Sequence, residues 1–177
     1  MTSSTLPLLF FTISLILILH APLPTLGTNF CETICDEAGK DEARCLEILK
    51  VDPKMVKASS YAEISKLILK LGEEKAASAQ KALKEIMKTN PSPAIAECAT
   101  TFYDGVVASF KSSLGELKVD ALTANYDAKV AGDGPTTCDK ALASANIVNP
   151  SISTLNKDIL LISKLAFIAT NKIPQTA

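Results

Sequence analysis

The residues best suited to chemistry are five cysteines, Cys31, Cys35, Cys45, Cys98 and Cys138, and one histidine, His20. Histidine is the side chain whose ordinary pKa suits proton transfer near neutrality, so its placement decides which mechanisms are open. From Leu8 to Leu19 only Thr12 and Ser14 are polar, and no charged side chain precedes Glu32. A run of that length falls short of the about 20 residues that a helix needs to cross a bilayer. It has the form of a secretory signal, closed by Pro22 and Pro24, with Thr25 and Gly27 as the small residues before a cut. Met1 to Pro7 lacks Lys and Arg, a departure from the usual signal start. Residues 1–27 are therefore expected to be removed, leaving 28–177 as one secreted domain.

His20 leaves with that segment. Without it, neither a Ser-His-Asp nor a Cys-His nucleophile can be assembled, and no His-containing zinc site. The glycines are isolated or fall in Gly132-Asp133-Gly134 before a proline, so no phosphate-cradling loop is present. The acids are scattered as on solvated helix faces, and the net charge of −1 points to neither nucleic acid nor a membrane surface. No catalytic residue, metal or cofactor is expected; the chain reads as a binding protein rather than an enzyme.

The elements that must position the cysteines are helices. Hydrophobic residues make up 47% of the sequence and aromatics only 5%, which suits closely packed helices. Residues 29–50 are short, charged and hold three cysteines, and Val51-Asp52-Pro53 ends them. Ser60-Tyr61-Ala62-Glu63 has the form of a capping box, after which Ile64, Ile68, Leu71, Ala79, Leu83 and Ile86 recur at helical spacing to Lys88. Asn90-Pro91 stops this helix, and Ser92-Pro93 supplies a cap and first residue for the next. That third segment, to about 117, carries Ile95, Cys98, Phe102, Val106, Phe110, Leu114 and Leu117 in one stripe. Asp120 opens a segment with Leu122, Tyr126 and Val130 four apart. Gly132 to Pro135 interrupts it, and Thr136-Thr137 can cap a resumption. The last helix is expected from near Ser153 to about Asn171. These segments predict an all-α fold, an up-down four-helix bundle preceded by a short N-terminal helical hairpin and stapled by disulfides.

In a secreted chain, five cysteines read as two bridges and one leftover thiol, with fifteen pairings open by counting. A Cys98–Cys138 bridge would tie two adjacent bundle helices, and Cys35 and Cys45 bracket a stretch where a turn could close. Such loops restrict the unfolded chain by about 3 and about 4 kcal/mol in the chain-entropy model. Cys31 and Cys35, four apart, share a helix face and make a poor mutual pair, which leaves Cys31 over.

Thr33-Ile34-Cys35 with Cys45-Leu46, Glu97-Cys98 with Phe102-Tyr103-Asp104, Thr136-Thr137-Cys138-Asp139, and Leu155-Asn156-Lys157-Asp158 before an apolar final helix stand in this order. In them the chain resembles the plant inhibitors of acid invertase and pectin methylesterase. The resemblance implies the pairs Cys35–Cys45 and Cys98–Cys138 and places Cys31 outside the usual four. Two departures stand out. Where the family often has a run of small residues before its fourth cysteine, this chain reads Asp127-Ala128-Lys129-Val130-Ala131. Where several invertase inhibitors carry a Pro-Lys-Phe element, it reads Ala121-Leu122-Thr123.

The resemblance implies a rigid bundle that docks on a cell-wall carbohydrate-active enzyme and excludes its substrate. The missing Pro-Lys-Phe element turns the expected partner towards pectin methylesterase, with acid invertase as the alternative and a non-inhibitory helical binding protein as a further one. Tyr103, Asp104, Lys111 and Asp120 are the expected surface contacts. Secretion to the apoplast or cell wall is the expected destination, with the vacuole as another.

Overall fold

The computed structural model describes residues 29–174; the expected signal segment 1–27 lies outside them. Every regular element among the described residues is helical. Asn29 opens α1 (Phe30–Glu37) by accepting the Glu32 amide at 3.3 Å. The chain then reverses at Gly39, whose φ of 62° lies in the left-handed region that glycine occupies freely. A short turn (Gly39–Asp41) leads into α2 (Glu42–Leu49), which completes the hairpin, and a single turn, α3 (Pro53–Val56), follows.

The long helix α4 (Tyr61–Thr89) starts where Ser60 Oγ accepts the Glu63 amide at 3.1 Å. The other half of the box differs from the expected form. Glu63 accepts from the amide and hydroxyl of Ser59, each at 2.8 Å, one residue upstream of the cap. These bonds, the side-chain one included, hold the Glu63 carboxyl below its ordinary pKa. Ser92 caps α5 (Pro93–Glu97) by accepting the Ile95 amide at 3.1 Å, with Pro93 at the first helical position. A π turn (Cys98–Phe102) then passes into α6 (Tyr103–Glu116). Helix α7 (Ala121–Val130) is followed by α8 (Asp133–Ser144), and α9 (Pro150–Asn171) ends the fold.

Two boundaries differ from the sequence expectation. The interruption falls at Ala131 and Gly132 rather than over Gly132 to Pro135; Asp133 to Pro135 already form the first turn of α8, where a proline gives up no intrahelical bond. Thr136 and Thr137 are not caps: their hydroxyls donate back to the Gly132 and Asp133 carbonyls at 2.9 and 2.8 Å. The last helix begins at Pro150 rather than near Ser153, because Asn149 accepts the Ser151 and Ile152 amides and so repeats the cap-then-proline device of Ser92-Pro93.

Helices α4, α6, α7 and α9 form a ring in which each packs on the next and α9 closes on α4, the arrangement of an up-down bundle. Its interior holds Ile64, Ile68, Leu69, Leu83, Phe110, Ile152, Ile159, Ile162 and Leu165, all essentially buried. The hairpin buries Ile34 and Leu49. Lys164 fastens it to α9 by donating to the Ala38 carbonyl and the Asp41 carboxylate at 2.7 Å each, Arg44 reaches Asp158, and Lys172 pairs with Glu37. The Phe30 and Tyr61 rings meet edge to face at 4.8 Å.

Gly134 tests how tightly α8 is held. A β-carbon there would stand 2.7 Å from the backbone oxygen of Phe102 and against Val106. Alanine gains at most about 1 kcal/mol of helix propensity over glycine, while overpacking against backbone costs about 1–3 kcal/mol. Gly134→Ala is therefore expected to lower the unfolding midpoint in a thermal circular-dichroism melt; an unchanged or raised midpoint would contradict this packing.

Candidate functional site

Two disulfides hold the frame, Cys35–Cys45 within the hairpin and Cys98–Cys138 between the π turn and α8, with Cα separations of 5.4 and 5.1 Å. Cys31 is a free thiol on the buried side of α1, and burial pushes its pKa up, with Glu32 adding to the shift and Lys50 opposing it. A thiol held protonated and out of solvent behaves as a packing residue rather than a nucleophile. Among the described residues, no cluster of three or more His, Cys, Asp or Glu side chains is placed to hold a metal ion. Among the same residues, no helix is long and apolar enough to cross a membrane.

The four expected contact residues fall in different environments. Tyr103 is not at the surface: it has 0% exposure. The π turn carries one extra residue in its turn, which re-phases the helix and swings Tyr103 inward while Phe102 moves towards the rim. Its hydroxyl donates to Asn156 Oδ1 at 2.8 Å, and Asn156 Nδ2 donates to Asp139 at 2.6 Å. This chain of bonds joins α6, α9 and α8. Asp104 is exposed but accepts from Gln80 Nε2 at 2.5 Å, a tie to α4. Lys111 is exposed on α6. Asp120 is the cap of α7, accepting the Leu122 and Thr123 amides at 3.0 Å and the Thr123 hydroxyl at 2.7 Å. The hydroxyl bond, then the Thr123 and Leu122 amides, hold its carboxyl below the ordinary value. The structure does not bring these four into one surface.

A coherent face lies elsewhere. The spacing of Leu122 and Tyr126 on α7 suggests a core stripe, yet each is 66% exposed, and Val119 before the helix is 85% exposed. The residues that α7 turns inward are Ala124, Asn125 and Ala128. The Ser113 hydroxyl donates to the Ala124 carbonyl at 2.6 Å, and that of Ser163 to the Ala128 carbonyl at 2.7 Å. Helices so close leave no room for Leu or Tyr between them. Asn125 bonds the Phe167 carbonyl and the Thr170 hydroxyl, fixing α7 to α9. The result is a shallow groove lined by Leu122, Thr123, Tyr126, Lys129 and Phe167, with the Lys129 ammonium 5.7 Å from the Phe167 ring centre. Large apolar anchors rimmed by polar groups on rigid helices are what a protein interface requires. The missed signal was the run of alanines beside them, the smaller and therefore inward face.

The described residues thus form a disulfide-stapled helical bundle with an exposed apolar face on α7. Residues 29–170 match the family model described as plant invertase/pectin methylesterase inhibitor, and the chain belongs to that family, whose members are proteinaceous inhibitors and not enzymes. Two solved structures share the fold. A mutant form of a pectin methylesterase inhibitor from Arabidopsis superposes with a TM-score of 0.74 at 21% identity, covering 84% of this chain and all of that one. A pectin methylesterase inhibitor from Arabidopsis thaliana gives 0.60 at 22% identity over 82% of this chain and 97% of that one. No curated protein sequence matches the chain.

The Tyr103 chain of bonds makes a measurable claim. Burial, reinforced by Asp139 and Asp158, drives the Tyr103 phenol far above the ordinary tyrosine range. The un-ionised form is thus favoured by folding. Its stabilisation is complete below about pH 10, where an unfolded tyrosine titrates, and is lost as pH rises above that value. Tyr103→Phe leaves Asn156 Oδ1 buried without a donor and is expected to cost about 1–3 kcal/mol at neutral pH. The variant should also lose part of the alkaline decline. Urea titrations at pH 7 and pH 11 read both, and a variant as stable as the wild type at pH 7 would exclude the bond.

Proposed function

We propose that the protein is a secreted inhibitor of pectin methylesterase, acting by docking the exposed face of α7 on the enzyme and covering its cleft. Family membership supports an enzyme as the partner, and the absence of the Pro-Lys-Phe element at Ala121-Leu122-Thr123 favours pectin methylesterase over acid invertase. The observation that carries the docking face is the outward placement of Leu122 and Tyr126 on a helix clamped from both sides. A preorganised surface loses little freedom on association, so two anchors of this size are enough to dominate an interface. Destination in the apoplast follows from the same reading, since a cell-wall enzyme is the partner.

The test is a titration of residues 28–177, with both disulfides confirmed, against pectin methylesterase and acid invertase. Dose-dependent inhibition of the esterase is expected; inhibition of invertase alone would reverse the choice of target, and inhibition of neither would remove the reading. Leu122→Asp with Tyr126→Ala should weaken esterase inhibition by about 2 kcal/mol or more, roughly thirtyfold, without shifting the melting midpoint. Undiminished inhibition by that variant would exclude the α7 face while leaving the inhibitor assignment in place.

A further inference from the structure

Helix α4 carries an ordered array of charge that neither the core nor the α7 face uses. Its buried residues, among them Ile64, Ile68, Leu69, Gly72, Ala76, Ala79 and Leu83, occupy one side. At about 100° per residue, the opposite crest is made by positions 66, 70, 77, 81, 84 and 88, which fall within an arc of about 60°. They are Lys66, Lys70, Ala77, Lys81, Lys84 and Lys88, and all are exposed. At about 1.5 Å per residue the row runs about 33 Å along the helix. Of the acids of α4, Glu63 falls within the same arc at the first turn, and Glu73, Glu74 and Glu85 lie within about 40° of its edges. Glu63 is engaged in the cap, Glu85 pairs with Lys88 at 2.8 Å, and Glu73 and Glu74 border the middle. Among the described residues, Lys66, Lys70, Lys81 and Lys84 have no carboxylate within ion-pairing distance.

In a protein of net charge −1, α4 thus carries an excess of positive charge, six lysines against four acids, with five of the lysines on one straight crest. A straight row of cations matches a linear polyanion, whose charges repeat along one axis, better than it matches a compact ligand. We infer that the α4 lysine crest binds a linear polycarboxylate, a de-esterified uronate polymer. The identity of the polymer rests on the reading proposed above: removal of methyl groups by the target enzyme converts neutral esters into the carboxylates that the crest would take. The geometry of the bundle allows both contacts at once. Helices α4 and α7 lie diagonally across the ring, each packed on α6 and α9, so their outer faces point away from each other.

The experiment measures binding of residues 28–177 to fluorescently labelled oligogalacturonate of about ten units in low salt, beside its fully methyl-esterified counterpart and vesicles of anionic lipid. Binding is expected to the free-acid oligomer only and to weaken steeply as salt rises. The variant Lys70→Glu with Lys81→Glu and Lys84→Glu should bind at least about tenfold more weakly. A control reversing Lys54 and Lys140, away from the crest, should stay within about twofold. Circular dichroism confirms the fold of each. Equal binding of the methyl-esterified oligomer, tighter binding of the vesicles, equal losses in both variants, or no binding by the wild type would each overturn the inference. Esterase inhibition assayed on a small soluble ester separates the two readings: the crest variant should inhibit like wild type. Failure of inhibition with retained oligomer binding would remove the target but not the polymer site.

Discussion

Helix α7 lies against α6 and α9 only because the residues it turns inward are small. Ala124 and Ala128 bring its backbone close enough for the Ser113 and Ser163 hydroxyls to bond its carbonyls directly. Ala131 and Gly132 continue this contact, and Gly134 extends it to the Phe102 backbone at the start of α8. Forcing a leucine or tyrosine into such an interface would cost about 1–3 kcal/mol in overpacking and would break both hydroxyl bonds. Leaving Leu122 and Tyr126 in water forgoes about 1–2 kcal/mol each, at about 25 cal/mol per Å² of apolar surface, which the retained packing and hydroxyl bonds offset. The exposed face is thus a direct consequence of the close-packed one. The departure from the family's small-residue run, Asp127-Ala128-Lys129-Val130-Ala131, does not loosen the packing, because Ala128 and Ala131 fall on the buried side.

A second constraint acts where the π turn meets α8. Cys98–Cys138 and the chain from Tyr103 through Asn156 to Asp139 join α6, α8 and α9 there. The disulfide restricts mainly the unfolded chain, whereas the buried hydrogen bonds penalise any native rearrangement that leaves Asn156 unpaired. One device limits the alternatives to folding and the other limits motion within the fold. Together they make the end of the bundle nearest the disulfide rigid without a large aromatic core.

Much of this was legible in the sequence. The all-α bundle and the caps at Ser60, Ser92 and Asp120 follow from local chemistry that acts within four residues. What could not be read depends on register. The apolar stripe from Ile95 to Leu117 continues through the π turn without a break in spacing, so nothing local announces the extra residue that buries Tyr103. Leu122 and Tyr126 satisfy helical periodicity as well as any core pair, and only the size limit imposed by Ser113 and Ser163 from other helices turns them outward. The Asn149-Pro150 start is legible in the sequence, since it repeats the cap-then-proline device of Ser92-Pro93. Of the four surface contacts expected from sequence, Asp104 and Asp120 are exposed, and each also holds a bond within the fold, Asp104 from Gln80 and Asp120 in the α7 cap.

The two outer faces differ in the physics they can use, and this bears on how the inhibitor would work in a wall. The α7 face offers apolar anchors, whose contribution to binding depends on desolvation and is nearly indifferent to salt. The α4 crest offers only exposed cations, each weak alone and screened within about 8–10 Å at ordinary ionic strength. A row of such charges is poorly suited to holding a compact partner but well suited to keeping a protein near an extended polymer while it slides and rebinds. On the proposed readings, a bundle held that way would meet an esterase on the same polymer at a raised local concentration, so a moderate α7 affinity would suffice. On the two proposals above, each de-esterified unit adds a carboxylate, so retention on the crest would grow with the extent of reaction, and inhibition would be strongest where the enzyme has already acted.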